Sequence, residues 1–169
     1  MKKQFFPFLL LALFLISCGK TENIPETRWL NKTRELREHN TEKKSVTQGI
    51  YGTLIQAEGN CMPVIGEGST CKHFPVAKKI RIYEYTLWEQ TEHQFTIFSR
   101  IDTKLIATVQ SDSEGFFEAE LAPGTYSLFI EAKEGLYANR FDSIGGITPV
   151  TVEEGSVATI DLKLDYAVY

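Results

Sequence analysis

The stretch SDSEGFFEAELAPGTYSLFI, residues 111–130, decides the fold class. Ser111-Asp112-Ser113-Glu114-Gly115 offers an aspartate that can accept from turn amides and a glycine free to take positive φ. Phe117, Ala119 and Leu121 then alternate with Glu118 and Glu120. Ala122-Pro123-Gly124 reverses the chain again, after which Tyr126, Leu128 and Ile130 alternate with Ser127, Phe129 and Glu131. Apolar residues at every second position turn one face of an extended strand to a core and the other to water.

The same texture extends outward. Residues 49–57 (GIYGTLIQA) form a first expected strand and residues 79–88 (KIRIYEYTLW) a second, whose buried face the mixed pattern leaves open. Residues 95–101 and 105–109 follow, with Asp102-Thr103-Lys104 between them suiting a hairpin turn. Residues 147–152 add another. At the end Ile160, Leu162, Leu164 and Tyr166 alternate with Asp161, Lys163 and Asp165, a half-exposed strand. Seven or eight short strands without a convincing helix predict an all-β sandwich over residues 47–169.

Glycines in the first strand, Asp112 and Gly115 in the turn, Phe117, and Pro123-Gly124-Thr125-Tyr126 opening the next strand resemble the carboxypeptidase regulatory-like domain, a transthyretin-like, Ig-like sandwich. The likeness spans most of residues 48–166. It implies a structural or binding accessory, and fold alone refines that no further. Two chemistries of related folds fit poorly. Hydroxyisourate hydrolases use clustered histidines and a Tyr-Arg-Gly-Ser terminus, whereas this chain ends in Leu164-Asp165-Tyr166-Ala167-Val168-Tyr169. An intramolecular isopeptide needs a first-strand lysine, and residues 49–57 hold none; Glu131 also lies one residue beyond the position the pattern expects.

At 169 residues the chain has room for one domain behind a leader. Its net charge of −4 and scattered lysine pairs at 43–44 and 78–79 argue against nucleic-acid binding, which needs clustered positive charge. Lys2 and Lys3 precede an apolar run from residue 5 to 16, the shape of a secretory signal and too short to span a bilayer stably. Leu15-Ile16-Ser17-Cys18 resembles the lipobox of bacterial lipoproteins. That resemblance implies a signal peptide of residues 1–17, cleavage before Cys18, diacylglyceryl and acyl (palmitate-type) chains on the cysteine, and anchorage to a membrane. Gly19, where aspartate would signal inner-membrane retention, favours the outer membrane. Cleavage would bring the net charge to about −6.

Residues 18–46 are polar, with Trp29, Leu30 and Leu36 the only large apolar side chains after Ile24. They read as a lipidated N-terminus and flexible tether with transient helix; the alternative is a short helix presenting Trp29 and Leu30 to a partner or headgroup layer. His39, among polar neighbours, reads as solvated.

Cys61 and Cys71 lie in the long insertion 58–75, and in an oxidising compartment their spacing suits a disulfide closing that loop. Together with Met62 and His73 they could instead form a soft-metal set, against which the non-motif spacing counts. Asp112 and Glu114 lack the spaced oxygen ligands of a calcium loop and read as turn chemistry. Trp88, His93 and Phe95 flank a polar stretch, residues 89–92, expected as a hairpin tip; they are candidates for contact with a protein or glycan partner. No serine elbow or acid–histidine pairing supports hydrolysis, so no catalytic residues, metal site or cofactor are expected. The sequence thus points to a membrane-anchored accessory or binding protein of the cell envelope, with carbohydrate binding and metal handling as alternatives.

Overall fold

A computed structural model describes residues 28–63 and 69–169. The expected signal peptide at residues 1–17, Cys18 and residues 19–27 of the expected tether fall outside the described residues. The elements are one helix, α1 (Thr33–Thr41), and twelve strands: β1 (Gly49–Glu58), β2 (Lys72–Pro75), β3 (Lys79–Glu84), β4 (Thr91–Gln94), β5 (Ile97–Ile101), β6 (Leu105–Gln110), β7 (Phe116–Glu120), β8 (Gly124–Glu131), β9 (Leu136–Tyr137), β10 (Pro149–Val152), β11 (Val157–Thr159) and β12 (Leu162–Asp165).

They form two sheets, an all-β sandwich as expected. In the five-stranded sheet β1 is central, antiparallel to β7 and β2 and parallel to β11 and β12. The seven-stranded sheet runs β4-β5-β9-β8-β3-β6, with β10 also on β8. The alternation read from residues 116–130 and 160–164 holds: Phe117, Ala119, Tyr126, Leu128, Ile130, Ile160, Leu162 and Leu164 fill the core between the sheets with Ile50, Leu54, Ile80 and Ile82. The two open faces of residues 79–88 resolve the same way, Ile80 and Ile82 pointing inward. Gly52 sits where β1 meets the β12 side so closely that a Cβ would lie 1.9 Å from the Ile160 carbonyl oxygen.

The Asp112 turn forms as its chemistry predicts. Its Oδ1 accepts from the amides of Glu114 (2.8 Å) and Phe116 (2.9 Å), and Gly115 takes φ 71°. A Cβ on Gly115 would fall 2.2 Å from the Leu54 carbonyl oxygen, so this turn is packed against β1 itself.

Several expectations are corrected. Residues 102–104 do not close a hairpin: β5 pairs with β4 and β9, and β6 lies at the opposite edge of the sheet on β3. The strand expected over 79–88 stops at Glu84, and Trp88–Gln90 is a 3₁₀ turn. β8 is not half-exposed, because Ser127 and Phe129 are fully buried as well. Phe129, Tyr83, Phe98, Ala138 and Ile147 form a second small core on the outer face of the seven-stranded sheet. Tyr166, expected in the core, is 44% exposed, since β12 ends at Asp165.

The largest correction concerns the tether. Residues 28–46 are a folded part of the domain. The α1 helix lies on the outer face of β1, and Leu36 is completely buried there. Asn40 Nδ2 donates to Thr53 Oγ1 (3.1 Å) and to the Glu114 carbonyl (2.9 Å). One leucine and one asparagine are too few to give a visible apolar stripe, so only the partner surface makes the helix worth forming.

Candidate functional site

Of the side chains proposed for partner contact, the structure joins two and leaves the third beside them. Three segments converge at the β4 edge of the seven-stranded sheet. The 3₁₀ turn carries Trp88 and is pinned by Thr91 Oγ1 donating to the Trp88 carbonyl (2.7 Å) and by the Trp88 amide donating to the Gly145 carbonyl (2.9 Å). The β4–β5 hairpin carries His93. A turn over residues 142–146 is closed by Asp142 Oδ1, which accepts from the amides of Ile144 (3.0 Å) and Gly146 (2.7 Å). Asp142 Oδ2 accepts from Tyr85 OH (2.6 Å), and that bond, followed by the Gly146 amide, holds the carboxyl below its ordinary range.

The Trp88 indole is the hub. Its ring centroid lies 3.7 Å from that of His93, 4.9 Å from Phe141 in an edge-to-face contact, and 5.9 Å from Phe98, which roots the cluster in the second core. His93 Nδ1 lies 3.0 Å from Thr91 Oγ1, which fixes the imidazole. The expected polar hairpin tip at residues 89–92 is not a tip; the hairpin turns at Phe95 and Thr96. Phe95 has φ 54° and is 82% exposed, and it joins none of the ring pairs among the described residues. A bulky side chain in the left-handed region and in water bears both a conformational and a solvation cost. Phe141 and Ile144, the latter 75% exposed, extend the apolar surface. Sequence reading missed both; their signal is the pair of large apolar residues in the polar turn segment FDSIGG (residues 141–146).

Cys61 and Cys71 are joined in a disulfide, their Cα atoms 4.6 Å apart. The bond closes the β1–β2 hairpin, whose last paired residues are Glu58 and Lys72. The described part of the loop is held to the C-terminal segment by the Cys61 amide donating to the Val168 carbonyl (2.8 Å). Residues 64–68, the loop's middle, lie outside the described residues. His73 Nδ1 stands 3.9 Å from Cys71 Sγ, so Cys61, Cys71 and His73 do converge. With both sulfurs bonded to each other there is no thiolate to ligate a soft metal, and that reading applies to a reduced form alone.

A third cluster fastens the N-terminal segment. Glu114 accepts from Trp29 Nε1 (2.9 Å), pairs with Lys43 (2.7 Å) and lies 3.0 Å from His39 Nε2. The Lys43 and Trp29 hydrogen bonds bring its carboxyl down to about 2. Trp29 stacks on His39, centroids 5.2 Å apart, and Arg28 lies over the indole. His39 is therefore a packed residue and not a solvated one, and Trp29 docks on its own domain. Lys43 also holds Asp112 (2.8 Å), so both acids of the candidate calcium turn are occupied by one ammonium.

Comparison with family models, with curated proteins and with solved structures finds no match to this chain.

Proposed function

We propose that this chain is the precursor of a non-enzymatic, lipid-anchored accessory or binding protein of a bacterial cell envelope, carrying a carboxypeptidase regulatory-like domain. It is cut before Cys18, tethered by acyl chains on that cysteine at the outer membrane, and recognises a protein partner through the aromatic surface around Trp88. The observation that carries the reading is that cluster: four large apolar side chains, Trp88, Phe95, Phe141 and Ile144, stay exposed on three adjoining turns whose backbone is fixed by hydrogen bonds. Rigid, wet aromatic surface on a scaffold edge is what binding surfaces use, because little conformational freedom is lost on contact. The disulfide suits the oxidising side of a membrane.

The anchor and the surface are tested separately. The Cys18→Ser variant moves the protein from the membrane to the soluble fraction; retention after a high-salt wash would refute the anchor. The double variant Trp88→Ala with Phe141→Ala retains membrane anchorage and loses the partners that crosslink to the parent protein in intact cells. Unchanged crosslinks would move recognition elsewhere. One observation favours a glycan as partner instead: the turn whose Gly145 carbonyl accepts from the Trp88 amide also carries Asp142, bonded to Tyr85, so polar hydrogen-bonding groups share a turn with the exposed indole. Oligosaccharide binding lost on Trp88→Ala would select that reading.

A further inference from the structure

A groove of about 590 Å³ runs between α1 and the β12 edge of the five-stranded sheet. Its floor is Ile55 and Leu162, and its walls present Arg37, paired with Asp161, Lys163, paired with Asp165, and Arg140. Three cations thus face two carboxylates, and the one without an acidic partner among the described residues is Arg140, whereas the chain as a whole carries a net charge of −4.

Asp161 organises the groove. Its Oδ2 forms an ion pair with Arg37 Nε (2.8 Å), its Oδ1 accepts from the Thr53 amide (3.0 Å), and its backbone carbonyl accepts from an Arg140 guanidinium nitrogen (3.1 Å). The two guanidinium groups are thereby brought to one residue. Arg140 is exposed and, among the described residues, forms no ion pair, so most of its donors face the groove without a carboxylate. The Asn139 amide and the Thr33 hydroxyl add neutral hydrogen-bonding groups to the lining. A guanidinium fork without a carboxylate, with the paired Arg37 beside it, matches the singly charged tetrahedral phosphate of a phosphodiester in charge and geometry better than it matches a neutral ligand.

We propose that this groove binds a phosphoryl group, and that in the cell the group belongs to the headgroup of an anionic phospholipid. The lipid source rests on the anchorage reading above; phosphate binding does not. Thr33 and Arg37 belong to α1, which begins fifteen residues after Cys18. Fifteen residues extend at most about 50 Å, so acylation of Cys18 would hold the α1 side of the domain within that reach of the headgroup layer. Several weak phosphate contacts would then add to the acyl anchor and orient the domain, with the Trp88 surface left for its partner.

The test uses the mature acylated protein in a non-ionic detergent, titrated with inorganic phosphate and with glycerol 3-phosphate and followed calorimetrically. Saturable binding of both is expected, weakened at least tenfold in Arg140→Gln. Its one side-chain hydrogen bond among the described residues goes to a backbone carbonyl and the side chain is exposed, so the substitution spares the fold, and Arg100→Gln serves as the charge-matched control with unchanged binding. In a second arm the same protein is reconstituted into phosphatidylcholine vesicles with or without phosphatidylglycerol. Slower amide exchange in residues 33–41 and 161–163 only with phosphatidylglycerol, abolished by Arg140→Gln, establishes the headgroup. Phosphate binding without that protection overturns the lipid source and leaves a soluble phosphorylated ligand. Absence of saturable binding, or equal binding by Arg140→Gln, overturns the site. A parent protein that binds phosphate but is found only in the soluble fraction of cells overturns the anchorage and the lipid source together and leaves the site.

Discussion

Replacing Glu114 by glutamine probes the fastening of the N-terminal segment. The carboxylate is only about one quarter exposed and gathers Lys43, Trp29, His39 and Arg28 around it. Glutamine keeps an acceptor for the Trp29 indole but removes the charge that holds Lys43. The Glu114 carboxyl sits at about 2 in the folded protein, below its ordinary 4.5. A shift of that size corresponds to about 3 kcal/mol by linkage, and solvent screening of surface ion pairs reduces the expected loss to about 1–2 kcal/mol at pH 7. The sign follows from the direction. A depressed carboxyl stabilises the fold above its unfolded value and loses that contribution as pH falls through its folded value. The gap between parent and Glu114→Gln should therefore be full above pH 5 and close between about pH 4.5 and pH 2. Urea unfolding across that range measures it, since subtracting the two proteins cancels the other titrating acids. A gap below about 0.3 kcal/mol at neutral pH, or one unchanged down to pH 2, would refute the clamp.

Other consequences are open to measurement. Leu36→Ala should cost about 2–5 kcal/mol and expose residues 28–46 to proteolysis, because Leu36 is fully buried under α1; a loss under about 0.5 kcal/mol would mean the helix is not docked. Cys71→Ser should lower stability by at most about 3 kcal/mol, the chain-entropy value for so short a loop, while native parent protein yields no alkylatable thiol at Cys61 or Cys71. Phe95→Gly relieves a left-handed φ of 54° and removes a ring that is mostly in water, so stability should stay within about 0.5 kcal/mol of the parent or rise. A fall beyond about 1 kcal/mol would show that the ring packs structurally.

Sequence alone determined the fold class, the inward faces of β7, β8 and β12, and the disulfide. Each of these depends on short-range information: period-two alternation at Phe117–Ala119, Tyr126–Leu128 and Leu162–Leu164, the turn chemistry of Asp112 and Gly115, and two cysteines within one loop. It also marked Trp88, His93 and Phe95. It could not show that Phe141 meets Trp88, because residue 141 lies more than fifty positions away and its turn reaches the indole through the bridge between Leu87 and Gly146 and the bond from the Trp88 amide to the Gly145 carbonyl. Nor could it show which strands pair. Asp102 to Lys104 reads as a hairpin turn from its residues, yet β5 and β6 sit at opposite ends of the sheet, and strand order is set by which faces bury together. The tertiary structure likewise decided α1. Nine polar-rich residues have little helical stability in isolation, and what makes them a helix is the surface that takes Leu36 and Asn40, with Glu114 fastening the segment from seventy-odd residues away. The Arg37–Asp161–Arg140 groove has the same origin: Arg37 reaches Asp161, 124 positions on and bonded to Arg140, only once the helix has docked.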